Sequence, residues 1–175
     1  MAQGDEVLQS VVSMGRAVFG AAACSIAVLS PAGDQLLFRV ADGEGADAVV
    51  GMAVPATRGI AGWALVSGQA LAVGDVAADA RFAADTAAKT GYVPQTILAA
   101  PLIDDGEAVG VIEVLDPGRG SAEGERALDL LGRLADQAAL VLRSLPENGR
   151  GLDGGRMGAA EQALVQAALD YARDR

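Results

Sequence analysis

Glu113 is the residue under the strongest chemical constraint, because it stands in the otherwise uncharged run Ala108-Val109-Gly110-Val111-Ile112-Glu113-Val114-Leu115. A carboxylate in such a strand needs a partner, a path to solvent or a ligand, since burying it alone is costly. Three further acids, Asp104, Asp105 and Glu107, flank Gly106. They read as an exposed hairpin turn, because a cage for a hard cation takes more oxygen ligands than one turn offers. The chain holds no histidine, which removes Ser-His-Asp and Cys-His catalysis, histidine-ligated haem and most zinc sites together. Its single cysteine, Cys24, admits no intrachain disulfide and no CxxC centre. With no cation or metal ligand beside it, Cys24 reads as a small buried hydrophobe, and it fits a reducing compartment.

The stretch from Pro94 to Asp116 positions these groups. Thr96–Ile103 and Ala108–Leu115 are runs of strand length joined by an acidic, Gly-containing turn, the signature of a hairpin. Both faces of each run are nearly apolar, so the hairpin is expected at the centre of the sheet, covered on both sides. Pro101 predicts a bulge or an unpaired position inside the first strand.

Upstream, Gln3 to about Ala21 reads as a helix with Val7, Val11, Met14 and Val18 in one stripe, widened by Leu8, Val12 and Phe19. That stripe is wider than one sheet contact requires, so part of it is expected to face another chain. Cys24–Ser30 and Gln35–Ala41 form a first hairpin around Pro31-Ala32-Gly33-Asp34. Simple alternation puts Leu36, Phe38 and Val40 on one face and Leu37, Arg39 and Ala41 on the other. Asp42 to Pro55 reads as a Gly- and acid-rich surface loop. Thr57 to Gly68 is a short helix with Thr57 as N-cap and Gly68 as the residue that ends it. Gly59 and Gly62 within it predict a close approach of the backbone to something else. A short strand, Ala70 to Gly74, precedes a loop from Asp75 to Phe82 and a weak helix ending at Gly91. Ser121 is expected to cap a long helix reaching about Leu145. Residues 146–158 are linker by composition, and 159–175 are a candidate short helix, marginal in isolation.

These elements fill one domain, residues 1–145, of a 175-residue chain. Hydrophobic residues make up 51% and aromatic residues 3%, so the core must be built of Ala, Val and Leu. The net charge of −10, from 23 acids against 13 basic residues, disfavours nucleic acid or an anionic membrane as partner. No apolar run reaches membrane length and no basic leader opens the chain, so a cytoplasmic location is expected.

The ordered segments Arg58-Gly59-Ile60-Ala61-Gly62-Trp63-Ala64, Ser67 to Val76, Asp79-Ala80-Arg81-Phe82, Gly91-Tyr92, Ile97 to Leu102 and Gly110 to Leu115 resemble the GAF domain family. The resemblance spans about residues 5 to 145. It implies an α+β, profilin-like and PAS-related fold: a six-stranded antiparallel sheet, with terminal helices on one face, often in a dimer bundle, and a lid closing a pocket on the other. Several subfamily patterns are missing. Asp116-Pro117 stands where cyclic-nucleotide binders carry Asn-Lys. Cys24 lies in the wrong region for bilin attachment, and haem-type members need an axial histidine. The Cys residues that free methionine sulfoxide reductases use in the lid are also lacking. No cofactor and no catalysis are therefore expected.

What the resemblance implies for this chain is a small-molecule-binding regulatory module of bacterial signalling. It would act as a homodimer through its terminal helices, with a signalling protein as a further partner. Its candidate pocket residues are Phe38, Trp63, Asp75, Phe82, Tyr92, Thr96 and Glu113. Each has a plainer alternative: the aromatic rings as core filling, Asp75 as a turn cap, and Glu113 paired with an arginine beneath the helices. A scaffold with a collapsed pocket is the alternative to the sensor, and a GAF-fold enzyme such as a free methionine sulfoxide reductase ranks behind both.

Overall fold

The computed structural model describes residues 3–120 and 124–145. In chain order the elements are α1 (Gln3–Phe19), β1 (Ala23–Leu29), β2 (Gln35–Gly43), α2 (Ala46–Val49), β3 (Ala53–Pro55), α3 (Gly59–Ser67), β4 (Leu71–Val73), α4 (Ala84–Thr90), β5 (Ile97–Asp104), β6 (Glu107–Leu115) and α5 (Glu125–Ser144). A 3₁₀ turn at Val76–Ala78 lies between β4 and α4. The six strands form one sheet in the order β3-β2-β1-β6-β5-β4. All of its strand pairs are antiparallel.

Two hairpins meet at the centre, where β1 pairs with β6 and Ser25 lies opposite Glu113. Alternation along β6 sends Ile112 and Val114 to one face and Val111, Glu113 and Leu115 to the other. On the first face, Leu8, Val12 and Phe19 of α1 and Leu131, Leu134, Ala138 and Leu142 of α5 pack on Cys24, Ile26, Leu98, Leu102, Ile112 and Val114. On the second, Ile60, Ala61, Ala64 and Leu65 of α3 join Ala27, Leu36, Phe38, Ala99 and Val111. The α+β fold expected from the sequence is the one observed.

The turn joining β5 and β6 places Asp105 and Gly106 at positive φ (49° and 85°) with Asp104 opposite Glu107, the two-residue geometry that matches strand twist. Arg143 of α5 reaches over it, 3.2 Å from Asp104 and also bonded to Asp105. The acidic turn thereby answers a helix arginine.

Several local expectations are corrected. The register of β1 against β2 shifts between Ile26 and Ala27, so Val40 faces Ile26, Phe38 faces Ala27, and Arg39 is the extra residue of a bulge. Phe38 and Leu36 therefore point to the lid while Val40 joins the helix layer, against simple alternation. Arg39 is buried and its Nε lies 2.5 Å from Asp5 of α1. The supposed loop from Asp42 to Pro55 contains the end of β2, one turn of helix and an edge strand. Pro101 is in register opposite Val111, and the irregularity comes one residue later, between Leu102 and Ile103. Because β4 pairs only with Ile97–Ala99, the proline falls where the outer edge of β5 has run past its neighbour.

In α1, Val7, Met14 and Val18 are exposed, while Leu8, Val12 and Phe19 form the buried side, and the helix stops at Phe19 rather than Ala21. The residue before α3 is Arg58, so Thr57 is not its cap, although Gly68 ends it in the left-handed conformation as expected. Ser121, the linker 146–158 and the helix expected within 159–175 lie outside the described residues.

Candidate functional site

Between the second face of the sheet and the lid lies a cavity of about 100 Å³, several times what one water requires. Its floor is Ser25, Phe38, Ala41, Glu113 and Leu115 from the strands, and Ile60 and Ala61 of α3 form one wall. Thr86, Ala87 and Thr90 of α4 form the opposite wall, with Phe82, Tyr92, Glu44 and Arg58 around them.

Four of the seven candidate residues, Phe38, Phe82, Tyr92 and Glu113, are brought together here. Glu113 is half-buried, on the pocket side and not beneath the helices. Burial pushes its carboxyl up to about 7, with no countercharge or hydrogen bond among the described residues offsetting that cost. It is a carboxylic acid poised to change charge near neutrality.

Tyr92 is held by its hydroxyl. It donates to Asp116 Oδ2, and the Asp116 carboxylate also accepts from the backbone N–H groups of Gln95 and Thr96, each at 2.8 Å. Asp116 sits at positive φ, a conformation Asp tolerates better than most residues. Burial works against its ionisation, but the donors from Tyr92, Thr96 and Gln95 outweigh it and hold the carboxyl below its usual range. The Tyr92 hydroxyl is pushed up to about 12, first by burial and then by this bond. Asp116 is thus the anchor that ties the end of the lid to the end of β6.

Three candidates have other employment. Thr96 spends its backbone N–H and its hydroxyl, at 3.2 Å, on Asp116. Asp75 caps the 3₁₀ turn, accepting from the Ala78 N–H at 3.2 Å. Trp63 packs at the edge of the lid core and carries the Arg81 guanidinium 4.9 Å above its ring, while Arg81 is chelated by Asp79 at 2.6 Å. These are braces of the lid, not pocket lining.

Gly62 meets the close approach that its sequence predicts. A Cβ there would stand 2.4 Å from the Thr57 carbonyl carbon, so the chain entering α3 can fold back only over a glycine. Arg58 binds Asp85 of α4 at 2.5 Å, a bridge between the two walls that sequence reasoning missed. Glu44 was missed as well. The one signal for both was the family resemblance, which implies a lid between the two hairpins without naming its inner face.

Cys24 has 0% exposure and packs in the helix layer, and its thiol is pushed up to about 12 by burial, then by Asp42 and Glu113. It has no nucleophilic character there. Among the described residues, no group of three or more His, Cys, Asp or Glu side chains is placed to hold a metal ion. Nor is any helix among the described residues long and apolar enough to cross a membrane.

The family model for the GAF domain matches residues 3–142. The chain belongs to the GAF domain family. GAF domains commonly serve as sensory or regulatory ligand-binding modules. A curated relative, the probable 3′,5′-cyclic phosphodiesterase pde-5 of Caenorhabditis elegans, is 37% identical over 60 residues, which is 34% of this chain and 8% of that protein. The chain therefore spans under a tenth of that relative's length. Among solved structures, residues 122 to 287 of a methyl-accepting chemotaxis protein align with a TM-score of 0.70 at 22% identity, covering 82% of this chain and 90% of the other. The free methionine-R-sulfoxide reductase of Neisseria meningitidis, solved with its substrate, gives 0.65 at 20% identity, covering 81% and 78%. At these identities the likeness is one of GAF fold.

Proposed function

We propose that this GAF domain is a non-catalytic sensor of a small molecule in bacterial signal transduction, acting as a homodimer in the cytoplasm. The observation that carries the reading is the cavity between sheet and lid, lined mainly by apolar side chains around one unpaired carboxyl, Glu113. A scaffold with a degenerate pocket would have a packed Ala and Val core in its place.

The mechanism is a population shift. Neither α2 nor α4 buries a residue, so this part of the lid, unlike α3, is held mainly by polar braces and its ordering is open to bias by a ligand. The floor strands β1 and β6 present Ser25 and Glu113 to the cavity and Cys24, Ile112 and Val114 to α1 and α5. A ligand that resets the floor therefore acts on the packing of the helix pair. Val7, Met14 and Val18 of α1, at 46%, 52% and 50% exposure, and Leu140 of α5, at 56%, supply apolar surface for a second copy and for a signalling partner.

A pooled-metabolite screen of the purified chain, read by melting temperature and native mass spectrometry, tests the sensor reading. At least one pool should raise the melting temperature and leave a bound mass. Failure of every pool rejects it. Analytical ultracentrifugation of Met14→Glu, expected to sediment as a monomer where the parent is a dimer, tests the assembly.

A further inference from the structure

The charges around the cavity do not balance. Glu113 projects from the floor and Glu44 stands at the side. Arg58, the arginine of the lining, is bound to Asp85 at 2.5 Å. The remaining titratable groups are turned elsewhere: the Tyr92 hydroxyl to Asp116, and the Cys24 side chain into the helix layer. Asp42, behind Cys24, is answered by Arg16 at 3.4 Å. Among aliphatic side chains and a few hydroxyls, the lining keeps two carboxyls without an arginine partner and the rings of Phe38, Phe82 and Tyr92.

We propose that the cavity selects a compact organic cation, an ammonium or methylated ammonium, with Glu113 as its counter-ion and the rings of Phe38, Phe82 and Tyr92 beside it. The proposal rests on the sensor reading and names its ligand class. A cation gives the floor carboxylate a charge-assisted hydrogen bond or ion pair in a water-poor setting, where such contacts are strongest. Ring faces attract the same charge. An anion would meet two carboxyls, and an uncharged apolar ligand would desolvate Glu113 without answering it. Because burial holds the Glu113 carboxyl near 7, a cation draws off its proton, so occupancy is coupled to pH.

The test is an NMR titration of the isotope-labelled full chain with three ligands of one carbon skeleton: isopentylammonium, isopentanol and isovalerate. The ammonium should shift the amides of β6 and α4 saturably and bind about tenfold tighter than either competitor, as charged hydrogen bonds warrant. Lowering the pH below the Glu113 midpoint should weaken it, approaching about tenfold per unit. Glu113→Gln should abolish the preference and the pH dependence while melting no lower than the parent at neutral pH.

Equal or tighter binding of isopentanol or isovalerate overturns the cation assignment and leaves the small-molecule reading standing. A preference that survives Glu113→Gln overturns Glu113 as counter-ion. Silence toward all three ligands, together with silence in the metabolite screen, overturns both readings.

Discussion

Against one face of the sheet, α1 and α5 bring Leu8, Val12, Phe19, Leu131 and Ala138 to 1% exposure or less. Against the other, α2 and α4 bury nothing. Between these extremes α3 buries Ile60 and Leu65 around the small residues Ala61, Gly62 and Ala64. The helix face gains its free energy from interlocked apolar volume, which has one good arrangement. The lid face has a smaller apolar cluster under α3, and beyond it the chain is fastened by polar braces, Asp116 to Tyr92 and Arg58 to Asp85, each worth far less than a buried leucine. A domain built this way holds a rigid frame and leaves one surface free to respond.

The largest effect should come from the helix face. Leu131→Ala, at a fully buried site, is expected to cost about 2–5 kcal/mol of global stability in urea unfolding. A loss below 1 kcal/mol would show that the two faces do not differ as described.

Glu113→Gln comes next and has the opposite sign. The folded chain keeps this proton up to about 7, whereas the unfolded chain releases it near 4.5. The corresponding stability is therefore fully present below the lower value and lost as the pH rises through the upper one. A glutamine never ionises, so the variant should be more stable than the parent at about pH 8, by no more than about 3 kcal/mol, and equal to it at about pH 4. A gain that did not change with pH would place the cause outside Glu113 titration.

Gly62→Ala should cost about 1–3 kcal/mol by overpacking, seen chiefly as faster amide exchange in α3 and α4 while the exchange of α5 holds. Uniform acceleration in both layers would break the distinction between frame and lid.

The smallest change is expected from Asp116→Asn, which keeps a residue suited to positive φ and removes the charge, at about 1 kcal/mol. Because the Asp116 carboxyl is held below its usual range, its contribution exists above the unfolded value and is lost as the pH falls through the folded one. Tyr92 exchange and fluorescence should therefore respond to acid in the parent and less in the variant.

The fold was legible because long apolar runs with regular periods mark its frame: α1, α5 and the two central hairpins. Glu113 stood out for the same reason, as the one acid in the apolar run from Ala108 to Leu115, but its face could not be told until the order of strands and the parity of β6 were known. Parity is also where the reading of β2 failed, since one bulge residue, Arg39, reverses every side after it without altering the hydrophobic pattern. β3 was missed because its three residues end in Pro55 and follow a Gly- and acid-rich stretch that reads as loop, whereas the equally short β4 is set off by Gly68 and Gly74. Trp63, Asp75 and Thr96 were assigned by chemical type, and the structure gives each a local duty that type alone does not reveal. Arg58 and Glu44 owe their place in the lining to lid geometry, which depends on contacts distant in sequence.

Cys24 gives the chain a built-in clock. Its thiol sits inside the frame, separated from the cavity by the backbone of β1, and it is the chain's one sulfhydryl. A small disulfide reagent therefore has a single target, and lid opening alone does not present it. The rate of labelling counts how often the helix layer parts from the sheet, and a ligand's effect on that rate separates molecules that steady the frame from those that only quiet the lid.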